Sequence, residues 1–471
     1  MKTWTEDSVA ILLGSIVLIL ALAAFLIVPY SGVNEALTSA ADEPGFSLEN
    51  WNDNNDSGNG VTVFLSNMVD ASRPGRWDLN PFSSLSSDFF LYAFALFVGL
   101  ALLLAIGIPL MKQQFSTFLG GFAFVFLVGL LAFLLANQTE FRNMGLGYAL
   151  WAILLGLVIS NVFGVPGFAR PALWPELYIK AGLVLLGAEV LFGKILAIGL
   201  PGIFVAWIVT PIVLLTTFWF GQRILRITSP TLNITISADM SVCGVSAAIA
   251  TAAACRASKE ELTTAVGLSM VFTSIMMVVL PTFITAVGIP EVLGGAWIGG
   301  TLDATGAVVA AGAFLGDTAL NVAATIKMIQ NILIGVLAFA VAVYWTTRID
   351  NTQARTVRAS EIWIRFPKFV LGFLGASVLF SLLYEALNPN TAAVLVENGA
   401  LAFTSDMRGW LFCLAFASIG MSANFRELRA QFHGGKPFIL YVCGQTLNLC
   451  LTLLMAWIMF YIIFPDITAN L

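Results

Sequence analysis

A chain of 471 residues with 59% hydrophobic and 10% charged positions and a mean hydropathy of +0.90 is not an ordinary soluble domain, in which about 25% of residues are charged. Apolar runs of about 20 residues, enough to cross a hydrocarbon core about 30 Å thick, recur along it, so it reads as an all-α polytopic integral protein of the lipid bilayer. The formal charge of −5 says little in bulk, because acids and bases segregate into different loops; nucleic acid is not an expected partner.

The first run, Val9 to Val28, follows Lys2 but exceeds the roughly 7–15 residues of a signal-peptide core and is read as a transmembrane helix. With the acidic loop "ADEPGFSLENWNDNNDSGNG" it makes up an N-terminal region, 1–87. Helices near 88–111 and 115–136 fill the next region, 88–145, and a transporter core is expected over 146–471. Its spans are placed near 146–164, 176–198, 201–220, 262–287, 320–346, 366–386, 402–424 and 437–463. Two further segments, 233–256 and 295–316, either cross fully or enter and return as re-entrant hairpins from opposite faces.

Bases gather at Arg223/Arg226, at Arg348/Arg355/Arg358/Arg365/Lys368 and at Arg426/Arg429/Lys436. The positive-inside rule makes these loops cytoplasmic, with the N-terminus inside and the C-terminus and loop 30–87 outside. "CRASKEE", Cys255 to Glu261, lies outside if the two segments cross and inside if they are hairpins. The five cysteines fall in or beside apolar runs, with neither the spacing of a disulfide framework nor that of a metal site.

The chemistry concentrates in "SADMSVCGVSAAIATAAAC", Ser237 to Cys255, and "GGAWIGGTLDATGAVVAAGAFLGD" from Gly294. Gly244 and the hydroxyls of Ser241 and Ser246 favour a helix break in the first. Irregular backbone at membrane depth is tolerated only against protein or a water-filled cavity. A half-helix starting near Ser246 exposes unpaired N–H groups and a positive dipole end, which is an anion site in outline. The bland alternative is that these small polar residues serve helix packing.

The second segment repeats the recipe, with five glycines around Thr301, Asp303 and Thr305; an aspartate beside a break points to a cavity. In the following span Lys327, Gln330 and Asn331 share one helix face at i, i+3 and i+4. A buried lysine needs a partner, and Asp303 is the candidate, as a charge-compensating or coupling pair; a static ion pair is the competing reading. Asp239, before the first break, ranks as secondary, and Glu189 is expected to pair with Lys194. The single histidine, His433, sits in a basic loop. A weak echo between "LLGAEVLFGK" and "SIGMSANFRE", with two ambiguous segments of opposite polarity, points to inverted repeats.

"SVCGVSAAIATA" resembles the S-[IV]-C-G-x-S-A signature of a bacterial family labelled sulfate exporter, of the YeiH type, with Ser241, Cys243, Gly244, Ser246 and Ala247 in its positions. The similarity runs from about Ala149 to Trp457. It implies a helix broken at that motif and the inverted-repeat fold of the cation-antiporter and anion-transporter superfamily. Where typical members carry His-Glu/Asp and then Gln after the threonine of the second motif, this chain has Asp303, Ala304 and Ala307, and Gln330 replaces a common arginine. The resemblance therefore reaches the fold and the break before it reaches the substrate.

The expectation is a secondary transporter of the cytoplasmic membrane that moves a small anion of the sulfate, sulfite or sulfonate class by alternating access. Ser241, Cys243, Gly244, Ser246, Ala247, Thr301 and Thr305 would bind it, and Asp303 or Lys327 would couple it to sodium or protons, without a cofactor or metal. A homodimer is left open. The alternatives are a sodium/proton-type exchanger with Asp303 as carrier, or an anion channel. An enzyme is not expected, since G-x-S-x-G, H-E-x-x-H and P-loop patterns are missing from the sequence.

Overall fold

The computed structural model describes residues 4–27, 60–143, 147–190, 192–345, 347, 367–423 and 435–469. The acidic run as far as Asn59, Arg348 to Arg365, Arg426, Arg429 and His433, and the Lys194 side chain, lie outside the described residues. The described chain is helical, without a β-strand. Its main helices are α1 (Glu6–Leu22), α2 (Gly60–Asp70), α3 (Phe89–Leu110), α4 (Phe115–Ala136), α5 (Tyr148–Val158), α6 (Pro175–Glu189), α7 (Phe192–Arg223), α8 (Pro230–Asp239), α9 (Gly244–Cys255), α10 (Lys259–Val287), α11 (Glu291–Thr301), α12 (Thr305–Leu315), α13 (Asp317–Tyr344), α14 (Phe369–Ala386), α15 (Ala402–Ser422) and α16 (Gly435–Trp457).

Among the described residues, eight helical stretches, built on α1, α3, α4, α7, α10, α13, α14 and α16, are long and apolar enough to cross a membrane, so the protein is a multi-pass membrane protein. Helix α6 has only 15 residues, and α15 carries Asp406 and Arg408; neither is among the eight. The expected boundary near residue 200 is not there. Helix α7 runs through Pro201 and Pro211, and the chain instead leaves helical geometry at Val190, φ −92 and ψ 98. A proline removes one backbone donor, a loss that transmembrane helices tolerate.

The chain divides into two units. The first comprises 1–159, 164–192 and 368–422. There α15 packs on α5 and α6, and α6 on α1 and α14. Trp410 is fully buried, with ring centroids 5.0 Å from Phe126 and 4.7 Å from Phe133. Three ion-paired sites tie the unit: Arg73 to Asp406 at 2.6 Å, Lys180 to both Glu6 and Asp7 at 3.0 Å, and Arg408 to Glu189 at 2.8 Å. Glu189 thus pairs with a helix 219 residues away, which local spacing could not reveal.

The second unit comprises 160–163, 193–367 and 423–471. Helix α8 starts where Ser229 accepts the Leu232 N–H and Pro230 takes the first turn, a favourable start because that turn has no intrahelical use for the missing proton. Cys255 Sγ, at the end of α9, lies 3.9 Å from Thr235 Oγ1 and 4.0 Å from the Thr231 carbonyl, at the start of α8. A continuous helix would separate Thr231 from Cys255 by about 36 Å. The segment is therefore a re-entrant hairpin. Helices α11 and α12 form a second one: a Cβ on Gly294 would lie 3.0 Å from Leu315, and one on Gly316 2.9 Å from Glu291 Oε2.

The two hairpins enter from opposite ends of α10. Ser258 and Glu261 close a capping box at its start, where Glu261 also accepts from Ser229 and Thr231 of the first hairpin. The second hairpin follows the far end of α10. "CRASKEE" accordingly shares its end of the unit with Ser229. The second hairpin also lies tight on α13, because a Cβ at Gly295 or Gly299 would be 2.6 Å from the carbonyls of Ala319 or Ala323. Small residues four apart permit that backbone approach.

Thr235→Cys in a background lacking Cys443 and Cys450 should oxidise to a disulfide with Cys255, read by peptide mass spectrometry. A segment that crosses the membrane would keep the two apart.

Candidate functional site

The tips of both hairpins are short irregular stretches, 240–243 between α8 and α9 and 302–304 between α11 and α12. A broken helix leaves carbonyls without partners at the end of its first half and amides without partners at the start of its second. Buried peptide groups need replacements, and the structure supplies them differently at the two ends.

The carbonyl ends are closed by three side chains, each reaching one carbonyl from each hairpin. Lys327 Nζ donates to the Val242 carbonyl and, at 2.7 Å, to Leu302. Gln330 Nε2 donates to Ser241 at 3.1 Å and Gly300 at 3.2 Å. Asn448 Nδ2, from α16, donates to Met240 at 3.2 Å and more weakly to Thr301 at 3.4 Å. Gln445 adds a bond to Thr301 at 3.0 Å. Lys327 and Gln330 are also joined, Nζ to Oε1 at 2.6 Å. Lys327, Gln330, Gln445 and Asn448 are all buried.

The amide ends are left open. Neither Cys243 before α9 nor Ala304 before α12 supplies a side-chain cap. Cys243 Sγ and Thr305 Oγ1 stand 3.7 Å apart, so the two half-helix starts adjoin. Cys243 and Ala304 are half-buried, and Ser246 is exposed in the first turn of α9. Thr305 also accepts from Asn331 Nδ2 at 3.1 Å. Gly244 has φ +31, and a Cβ there would lie 2.9 Å from Ser269 Oγ and 3.5 Å from Asp303. Both backbone and space require glycine at this point.

The remaining predicted residues divide. Ser241 spends its hydroxyl on the Ser237 carbonyl one turn back, and Ala247 is buried behind the tip. Thr301 is buried, and its hydroxyl makes no hydrogen bond among the described residues. Asp303 and Lys327 form no ion pair within 4.0 Å among the described residues. Lys327 is occupied by carbonyls, and Asp303 Oδ2 accepts from the Tyr441 hydroxyl. Asp239 is fully buried beside the break.

Tyr441, Gln445, Asn448 and Ser269 were not among the sequence candidates. A signal existed: Tyr441, Gln445, Asn448 and Thr452 recur at i, i+4, i+7 and i+11 in an otherwise apolar span, so they share one face. Tyr441 is held by a stacked contact with Phe272, 4.6 Å between centroids.

The description "conserved hypothetical protein 698" belongs to the family model that matches residues 120–441. The chain belongs to this family. That match covers both hairpins and α13 and stops at Tyr441, short of Gln445 and Asn448. A UPF0324 membrane protein of Nitratidesulfovibrio vulgaris is 61% identical over 377 residues, 80% of this chain and 65% of the relative. One from Rhodopirellula baltica is 55% identical over 399 residues, 84% and 73% of the two chains. One from Nitrosomonas europaea is 30% identical over 374 residues, 70% and 75%. The chain thus spans just under two thirds of the length of the Nitratidesulfovibrio relative. No solved structure matches the chain.

Each lost donor should cost between about 0.6 kcal/mol, the average for an interhelical hydrogen bond in a membrane bundle, and about 3 kcal/mol, the upper cost of a bare buried carbonyl. Lys327→Met strips both Val242 and Leu302 and should lower thermal stability in detergent more than Asn448→Leu, after which Thr301 keeps Gln445. Gly244→Ala should fall with the severe group, since the strained φ and the contact with Ser269 act together.

Proposed function

We propose that this protein is a secondary transporter, not an enzyme, that carries a small oxyanion of the sulfate, sulfite or sulfonate class across the cytoplasmic membrane by alternating access. The observation that carries the reading is the asymmetry of the hairpin tips. Every carbonyl from Met240 to Val242 and from Gly300 to Leu302 has a side-chain donor, while the amide ends of α9 and α12 adjoin without side-chain caps. Two convergent helix starts present N–H groups and positive dipole ends to one ligand. Opposed discontinuous helices meeting inside a membrane protein are the arrangement in which transporters hold substrate.

In this reading Ser246 and Thr305 add hydroxyls beside the amides, and Cys243 lines the point where they meet. Lys327 makes no direct salt bridge to the anion. It keeps the carbonyl dipoles of both tips turned away, so that the amide face alone meets the ligand. Binding without a dedicated cationic side chain suits a carrier, which must also release. The basic ends near Arg226, where Lys436 Nζ donates to the Arg226 carbonyl at 3.2 Å, would face the cytoplasm by the positive-inside rule.

Purified protein in proteoliposomes should show saturable counterflow of radiolabelled sulfate, sulfite or methanesulfonate. Ser246→Ala and Thr305→Val should each raise the half-saturating concentration about tenfold, the worth of one hydrogen bond to a charged ligand. Non-saturating flux without counterflow would mean a channel. Stabilisation by sodium alone, lost in Asp303→Asn, would mean the cation exchanger.

A further inference from the structure

Behind the tips lies a second cluster that the anion reading does not use. Asp239, at the end of α8, is completely buried and has no cationic partner within 4.0 Å among the described residues; the hydroxyl that faces its carboxylate is that of Ser269. Asp303 is 2% exposed, and its Oδ1 has no hydrogen-bond partner among the described residues while Oδ2 takes the Tyr441 hydroxyl. The two carboxylates lie in one neighbourhood, because Asn448 bridges the carbonyls of Met240 and Thr301 and Lys327 those of Val242 and Leu302, and the charges of Asp303 and Lys327 both act on Asp239. Ser269 faces Asp239 and Tyr441 from α10, and Cys243 faces Lys327. The titratable groups of this neighbourhood are therefore Asp239, Asp303, Lys327, Tyr441 and Cys243.

With both acids ionised, two carboxylates stand against one ammonium whose three donor bonds go to Val242, Leu302 and Gln330. An unpaired buried charge is strongly unfavourable, and neighbouring carboxylates resist joint ionisation. We propose that Asp239 and Asp303 form a dyad that holds one exchangeable proton, with Asp239 as the carrier and Asp303, anchored by Tyr441, as its fixed partner. The step is simple: a proton from the aqueous phase forms an O–H bond on the Asp239 carboxylate, and the same bond breaks when it leaves. No other bond changes. A Cβ on Gly244, the first residue of the anion-binding helix start, would lie 3.5 Å from the Cβ and the carbonyl of Asp303; given the anion reading above, protonation therefore removes a negative charge from the neighbourhood of the anion. Proton and anion then bind cooperatively, on the order of tenfold at such separations, which makes the pair co-transported.

Infrared difference spectroscopy of the purified protein across a pH titration tests the dyad without any substrate. Wild type should show the C=O band of a protonated carboxylic acid that disappears as pH rises. Asp239→Asn should lose it, and in Asp303→Asn it should titrate at lower pH, because the neighbouring negative charge is gone. A wild type without the band, or a band unchanged in Asp239→Asn, overturns the proposal. Replacing choline by sodium at constant pH should leave the band in place; its loss would assign the site to sodium and also overturn it. Thermal melts give the second arm, with sulfate as the probe because it does not itself titrate near neutral pH. Its half-saturating concentration should rise about tenfold from acid to alkaline pH in wild type and be independent of pH in Asp239→Asn. If the band behaves as expected while sulfate gives no stabilisation at any pH, the dyad stands and the anion reading falls. A stabilisation by sulfate with the same pH dependence in both proteins overturns the dyad alone.

Discussion

The second unit depends on one constraint: two helices are interrupted inside a membrane protein, and the carbonyls set free must find donors. Three side chains answer it, Lys327, Gln330 and Asn448, and each spans from one hairpin to the other. The resulting rungs do two things at once. They remove the penalty of bare peptide oxygens in a dry interior, and they lock the two tips into a fixed relation, so that neither hairpin reaches its position without the other.

Closing one end of each interruption defines the other. Helix dipoles that end in clamped carbonyls leave their chemical character at the amide starts, and those starts adjoin at Cys243 and Thr305. Lysine suits this task better than a substrate contact. Its ammonium spreads over two carbonyls and the Gln330 amide, which neutralises two half-helix ends. Gln330 keeps the rung but adds no second positive charge.

The same displacement of Lys327 toward carbonyls leaves the aspartates to settle their own charge. Asp303 takes the Tyr441 hydroxyl, Asp239 faces the hydroxyl of Ser269, and a Cβ on Gly244 would lie 3.5 Å from the Cβ and carbonyl of Asp303, which brings that residue close to the start of α9. The open amide ends and the buried carboxylates thus belong to one pair of tips. The first unit shows a contrasting use of charge: Arg408 with Glu189 and Arg73 with Asp406 are direct ion pairs.

Much of this was legible in the sequence, because the signals are local. Composition and run length identify a multi-pass helical protein, and the glycine and serine at 241–246 and the glycines around Asp303 mark the two interruptions. The i, i+3 spacing of Lys327 and Gln330 places them on one face. Sequence alone left open whether the interrupted segments cross or return, since a break has the same local chemistry in either case. That was decided by long-range contacts, Cys255 with Thr231 and Thr235, and Gly316 with Glu291. Partner choice was equally out of reach. The expected pair Asp303–Lys327 rested on opposite charges close in sequence, whereas the fold offers Lys327 freed carbonyls; the Lys194 side chain lies outside the described residues, and Arg408, 219 residues from Glu189, reaches that carboxylate. Which groups a buried charge meets depends on how helices far apart in the chain pack together, and only the tertiary structure sets that.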